Sequence, residues 1–331
     1  MHLLMNTRIF GKTGVPASEM GLGCWQLGGT DWGNVDDQSA LDILAAAADA
    51  GVNFFDTADV YGNGRSETLI GRFLKERRGK IFVATKLGRT AALYPDKYTE
   101  AGVRAATEDS LKRLGVSTLD LTQLHCIPIA ELRRGDVFHW LARLQREGKI
   151  RHFGASVESM EEAQVCLAQP GLASLQIIFN IFRQKPIATL FPQAKQKGVA
   201  IVVRLPLASG LLSGKLGKQS QFPQNDHRKY NRDGQCFNVG ETFAGLPFEK
   251  GVELSDALKP LVPAGLTMAQ MAQRWILDYD AVSVVIPGAS RPDQAKANAS
   301  VSELPPLDAK LHATLQSFYE REVAANIRGP Y

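Results

Sequence analysis

Gly51-Val-Asn-Phe-Phe-Asp56-Thr-Ala-Asp-Val-Tyr61-Gly62 is the stretch on which the fold turns. It opens on a glycine suited to end a helix, passes through a short apolar run, and delivers a carboxylate and then a phenol. Two later runs end in the same manner, Ile81-Phe-Val-Ala-Thr-Lys86 and Leu119-Asp-Leu-Thr-Gln-Leu-His125. As parallel strands of one barrel, they bring Asp56, Tyr61, Lys86 and His125 to the carboxyl-terminal rim, where loops carry the chemistry of such folds.

Working outward, strand-like runs at residues 19–24, 52–56, 81–86, 119–125, 150–155, 174–179, 199–204 and 282–286 alternate with amphipathic stretches. The helical stretches fall near 37–50, 65–77, 99–114, 135–147, 158–168, 186–197, 267–279 and 292–300. Gly51, Gly115, Gly148 and Gly198 stand where helices should stop, while Ser66, Pro186 and Thr267 stand near starts. Repeated βα units with eight strands predict an α/β fold, a (β/α)8 TIM barrel. Three segments lie outside the repeat. Residues 7–18 predict a hairpin plugging the amino-terminal mouth, residues 216–250 a long loop after strand seven, and Asp308 to Ala325 an extra C-terminal helix. With no linker or composition break, residues 1–331 are expected to form one domain.

Composition narrows the function. Of 331 residues, 44% are hydrophobic, ample for a large core, and the formal net charge of +4 comes from scattered Lys and Arg rather than basic blocks. Nucleic acid is therefore not an expected partner. No apolar run reaches the roughly 18 residues of a membrane span, and Met1 to Arg8 lacks the apolar core of a leader, so a cytoplasmic location is expected. Cys24, Cys126, Cys166 and Cys236 form no Cys-x-x-Cys pair, and His2, His139, His152, His227 and His312 show no metal-ligand spacing, so no metal is predicted. Gly21-Leu-Gly23-Cys-Trp-Gln26 lacks the third glycine of a dinucleotide fingerprint, and Gly214-Lys215 is followed by Leu216 where a P-loop needs Ser or Thr.

Taken singly, each rim residue has an ordinary structural reading: a satisfied aromatic, a snorkelling lysine, a helix cap, a packed imidazole. Together they fit proton transfer. A lysine ending an apolar strand requires a partner, and Asp56 on the neighbouring strand is one. Lys86 and Asp56 beside Tyr61 are expected to lower the phenol from its usual pKa of ~10, making it a general acid, with neutral His125 orienting a carbonyl oxygen.

These residues resemble the aldo-keto reductase family, most closely a bacterial branch related to potassium-channel β subunits. The resemblance rests on Gly51 to Gly62, Ala84-Thr-Lys86, Gln123-Leu-His125 and Ile286-Pro-Gly-Ala-Ser-Arg-Pro-Asp-Gln-Ala-Lys-Ala-Asn298. It implies a catalytic tetrad of Asp56, Tyr61, Lys86 and His125, with Tyr61 the proton donor to a small-molecule carbonyl substrate. It also implies NADP(H) as the preferred cofactor, with NAD(H) a second possibility. The nicotinamide amide would be held by Ser156 and Gln176, with Trp25 and Asp56 also against the cofactor. In Arg204-Leu-Pro-Leu-Ala-Ser-Gly-Leu-Leu-Ser-Gly-Lys215, the residues Leu207, Ser209, Gly210 and Lys215 would meet the diphosphate. Gly288, Ser290, Arg291, Gln294 and Asn298 match positions that hold the 2′-phosphate and adenine, with Arg291 replacing charges missing at Gly288 and Gln294. Arg204 replaces a frequent aromatic, and its charge is expected to favour the reduced cofactor. Trp32, Tyr61 and His125 would face substrate, with residues 216–250 as a mobile wall. Two other functions share these residues: a nucleotide-sensing subunit with slow turnover, and an aldolase forming a Schiff base at Lys86.

Overall fold

In the computed structural model, residues 5–29, 31–32, 34–77 and 80–331 are described. Residues 1–4, including most of the apolar start and His2, lie outside them. Ten strands occur among the described residues: β1 (Thr7–Ile9), β2 (Pro16–Ser18), β3 (Leu22–Gly23), β4 (Phe54–Asp56), β5 (Phe82–Leu87), β6 (Leu119–His125), β7 (Ile150–Ser156), β8 (Ser174–Ile178), β9 (Ala200–Arg204) and β10 (Val282–Val285). Strands β3 to β10 pair in parallel in sequence order. The ring closes through Gly21 N to Val285 O (2.7 Å), Val285 N to Glu19 O (2.9 Å) and Gly23 N to Pro287 O (3.0 Å). This is the expected (β/α)8 barrel.

The first barrel strand is shorter than the run at 19–24 suggested, because the chain there touches β10 only through isolated bridges. Glycine permits that approach: a Cβ on Gly23 would lie 2.8 Å from Ile286 O, and one on Gly21 would press on the Val284 and Ile286 side chains. Most predicted helices are present, including Asp37–Asp49, Arg65–Glu76 and Glu100–Leu114. Residues 186–197 instead form two pieces, Pro186–Thr189 and Phe191–Lys197, the second carrying a proline in its first turn. Thr267 caps its helix through a reciprocal capping box with Gln270. Ser66 does not cap. Gly64 precedes that helix in a left-handed conformation, and Ser66 Oγ instead donates to Cys24 O at 2.9 Å. The helices Ile129–Arg134 and Phe248–Leu258 were not anticipated.

The amino-terminal hairpin pairs β1 with β2 and inserts Phe10 against Phe54 and Phe82, each ring centroid 5.4 Å away. Residues 216–250 contain short helical turns, among them His227–Tyr230 and Val239–Glu241, and fold against the carboxyl-terminal side. The C-terminal helix is Ala309–Phe318, extended by a wider turn at Tyr319–Val323.

Strand periodicity decides which side chains share the barrel interior. Phe54, Phe82, Ala84 and Leu121 belong to one inner apolar cluster, whereas Phe55, Val83 and Leu124 pack toward the helices. With that parity Asp56, Lys86, Gln123 and His125 also point inward, one layer higher. Register then aligns Lys86 with Gln123, His125 with Ser156, Ser156 with Gln176, and Ile178 with Arg204. An apolar floor thus lies beneath a ring of polar groups.

Candidate active site

Lys86 is almost wholly buried, and its three N–H donors are all engaged: Asp56 Oδ1 at 2.5 Å, Thr57 O at 2.9 Å and Tyr61 Oη at 3.2 Å. Burial alone would lower an ammonium's pKa, but Asp56 and Tyr61 overcome it and the pKa lies above its usual value. The second oxygen of Asp56 accepts from Gln176 Nε2 at 2.7 Å and Gln123 Nε2 at 3.2 Å. Four elements therefore converge on one carboxylate. Gln123 was quoted in the sequence motif without a role, yet its shared parity with Lys86 could have revealed this contact.

Tyr61 lies flat against Trp25 (centroids 5.9 Å apart, planes 18°) and edge-on to His125 at 5.8 Å. The expected fall in its pKa is reversed. Burial pushes the phenol up, to about 12; Lys86 lowers it, but Asp56 and Glu241 oppose that. Lys86 and Asp56 form a nearly neutral pair at this distance, so desolvation decides the direction. His125 agrees with expectation: burial, then Lys86, Arg89 and Arg204, hold its pKa well below the usual range and keep it neutral. Its Nδ1 is buried without a partner among the described residues.

These groups line a cavity of about 500 Å³. Of the sequence-derived residues, Trp25, Trp32, Asp56, Tyr61, His125, Ser156, Gln176, Arg204, Leu207, Ser209, Gly210 and Gly288 are in its wall. Lys86 sits behind it as the support of Tyr61. Lys215 is exposed and outside the lining. Ser290, Arg291, Gln294 and Asn298 also lie beyond the wall, around the start of helix Pro292–Ala299. There Gln294 Oε1 accepts from Ser290 N and Oγ at 2.8 and 3.0 Å, and Asn298 Nδ2 donates to Gly288 O at 3.3 Å. Arg291 is paired with Asp293 at 3.1 Å, so a phosphate reaching that guanidinium must compete with a carboxylate two residues away.

Arg204 also departs from expectation. Its guanidinium pairs with Glu241 and donates to Val157 O at 2.9 Å, so its positive charge is balanced within the wall. The premise that an unopposed charge favours the reduced cofactor therefore fails. Cys126, Glu158 and Glu241 present ligand atoms within 4.8 Å of one another, but Arg204 reaches both Glu241 and the Cys126 sulfur and supplies the cation there.

Residues 216–250 do form part of the wall, through Tyr230, Cys236, Phe237 and Glu241. Nothing in their aperiodic sequence marked Glu241. His227 was read only as lacking a metal partner. It is buried against Trp32 at 4.3 Å and Trp25 at 4.9 Å, with burial as the main force pushing its pKa down to about 4. Asp31, also unanticipated, ties this aromatic corner together by accepting from Trp25 Nε1 at 2.9 Å and Tyr230 Oη at 2.8 Å.

The cavity fits a nucleotide cofactor in two respects. Gln26 presents a buried carboxamide oxygen with no partner among the described residues, beside Gly288, where any Cβ would collide with that amide at 2.2 Å. In the same wall, Leu205, Ser209 and Gly210 have positive φ and bring backbone close to the cavity, with Gly210 N donating to Leu207 O at 2.9 Å within the turn.

Comparison with known proteins agrees. The sequence is 30% identical over 301 residues to the aldo-keto reductase YhdN of Bacillus subtilis, covering 88% of this chain and 86% of that one. It is 28% identical over 325 residues to a probable voltage-gated potassium channel subunit beta of Arabidopsis thaliana, covering 92% and 93%. Among solved structures, the glycerol dehydrogenase AKR11B4 of Gluconobacter oxydans superposes with a TM-score of 0.77 at 31% identity, over 98% of both chains. The holo form of AKR11C1 from Bacillus halodurans gives 0.77 at 28%, over 95% of this chain and 96% of that one. The family profile matches residues 19–320, and the chain belongs to the aldo/keto reductase family.

Proposed function

We propose that this oxidoreductase interconverts an aldehyde, ketone or sugar hemiacetal and its alcohol or lactone, using NADP(H) in preference to NAD(H). The carrying observation is the buried chain Asp56–Lys86–Tyr61 beside neutral His125 at the cavity wall. When bound, the nicotinamide supplies or accepts a hydride. Ser156 and Gln176 would hold its amide, the segment from Leu205 to Gly210 its diphosphate, and Arg291 its 2′-phosphate. Trp32 would face the substrate.

In the reductive direction Tyr61 donates its proton to the carbonyl oxygen. A phenol with pKa near 12 stays protonated through neutral pH, yet remains more acidic than an alcohol, so transfer to a developing alkoxide is downhill. Lys86 fixes the phenol and partly stabilises the phenolate left behind. His125, neutral at physiological pH, can donate to the same oxygen without adding charge. The Schiff-base reading fits less well, because Lys86 is a fully hydrogen-bonded ammonium with a raised pKa and no free lone pair.

The test is absorbance at 340 nm with NADPH and NADH separately, across aliphatic, aromatic and sugar aldehydes. Aldehyde-dependent loss of absorbance, with the lower KM for NADPH, is expected. Nucleotide binding without turnover would favour a sensing subunit.

A further inference from the structure

The Arg204–Glu241 pair lies in the same cavity wall as Tyr61 and His125. Tyr61 and His125 fix the position of a reacting carbonyl, and a hydride donor must approach it to about 3–3.5 Å. Arg204 and Glu241 belong to the same wall, both nearly excluded from solvent, with Ser156 and Gln176 beside them. Their fields reach this point: Arg204 acts on His125, and Glu241 acts on Tyr61. Giving up a hydride turns the nicotinamide from a neutral ring into a cation. An arginine alone would penalise that cation.

Glu241 removes the penalty. It reaches the barrel from the segment after β9, and Ser209 Oγ fastens its backbone by donating to Glu241 O at 3.2 Å while accepting from Phe243 N at 3.1 Å. The contacts to Val157 O and the Cys126 sulfur hold Arg204 in place without neutralising it, and Glu158, the other carboxylate acting on Arg204, is itself paired with Arg89 at 3.7 Å. Resting on the oxidoreductase reading above, we propose that Glu241 is a positioning residue. By cancelling the charge of Arg204, it sets the relative affinity for oxidised and reduced nicotinamide and makes the reaction usable in both directions.

The test is calorimetric titration of NADP⁺ and NADPH into wild type, E241Q, R204M and E241Q/R204M at one ionic strength. Glutamine keeps the acceptor and shape while deleting the charge. A unit charge about 10 Å away, at an effective dielectric of about 20, changes a cation's binding by roughly tenfold. E241Q should therefore raise Kd(oxidised)/Kd(reduced) roughly tenfold, making the bound cofactor's potential about 30 mV more positive. R204M should lower the ratio, and the double variant should return to within about threefold of wild type. Wild type binding both nucleotides, with E241Q leaving the ratio within twofold, would overturn the inference alone. Wild type binding neither would overturn the oxidoreductase reading and this inference with it.

Discussion

At the scale of single residues, the site sets an uncharged phenol and imidazole against a buried Lys86–Asp56 ion pair. Tyr61 and His125 face the cavity and keep uncharged forms near neutrality, while the charges sit on Lys86, behind the wall, and on Asp56, which reaches the wall and holds Lys86 within hydrogen-bond contact. Removing one partner leaves the other buried, so Asp56→Asn should cost about 3–5 kcal/mol of stability, read from urea unfolding. Asp59 offers a second test. It is buried with neither carboxylate oxygen partnered among the described residues, and burial first, then Glu67, push its pKa up to about 7. A carboxyl whose folded pKa is raised stabilises most below its unfolded value, and that contribution declines until pH passes the folded value. Over pH 5–7, Asp59→Asn should therefore gain on wild type by about 1.4 kcal/mol per pH unit, then level off. Parallel stability curves would contradict this. The convergence of Asp56, Tyr61, Lys86 and His125 was legible because each ends or follows an apolar run. The phenol's pKa was not, because burial of the hydroxyl decides its direction and Asp56 opposes much of the effect of Lys86, and neither can be read from the sequence.

At the scale of elements, the hairpin closes one mouth of the barrel and the segment after β9 walls the other. Phe10 is fully buried among aromatic rings, so Phe10→Ala should cost about 3–5 kcal/mol. Because the hairpin lies at the opposite end from the tetrad, cofactor affinity measured well below the melting temperature should be unchanged. A large loss of affinity would mean that the two ends are coupled. Two glycines and a turn-rich sequence made this hairpin readable. The outer wall was harder to read, because Glu241 meets Arg204 across 37 positions of chain, with no periodic pattern linking them. Helix Phe248–Leu258 was partly hidden at the edge of the same segment, and Ile129–Arg134 is too short to give a clear helical pattern.

At the scale of the molecule, eight parallel strands convert sequence distance into proximity: Gln176 reaches Asp56 across 120 positions. Strand parity, already visible in Phe54, Asp56, Ala84 and Lys86, selects the inward residues, and register sets their heights. The residues from Ser290 to Asn298, proposed to meet the adenine end, remain outside the cavity wall, and Arg291 pairs with Asp293, so cofactor preference is the part least determined by the barrel. The central claim is that this barrel delivers a proton from Tyr61 to a carbonyl reduced by the bound nicotinamide. Its most direct test combines single-turnover reduction by Tyr61→Phe with a parallel titration of NADPH. The account predicts that reduction falls by about 10²–10⁴-fold while the nucleotide Kd stays within about threefold of wild type. Reduction at the wild-type rate by the phenylalanine variant would contradict it.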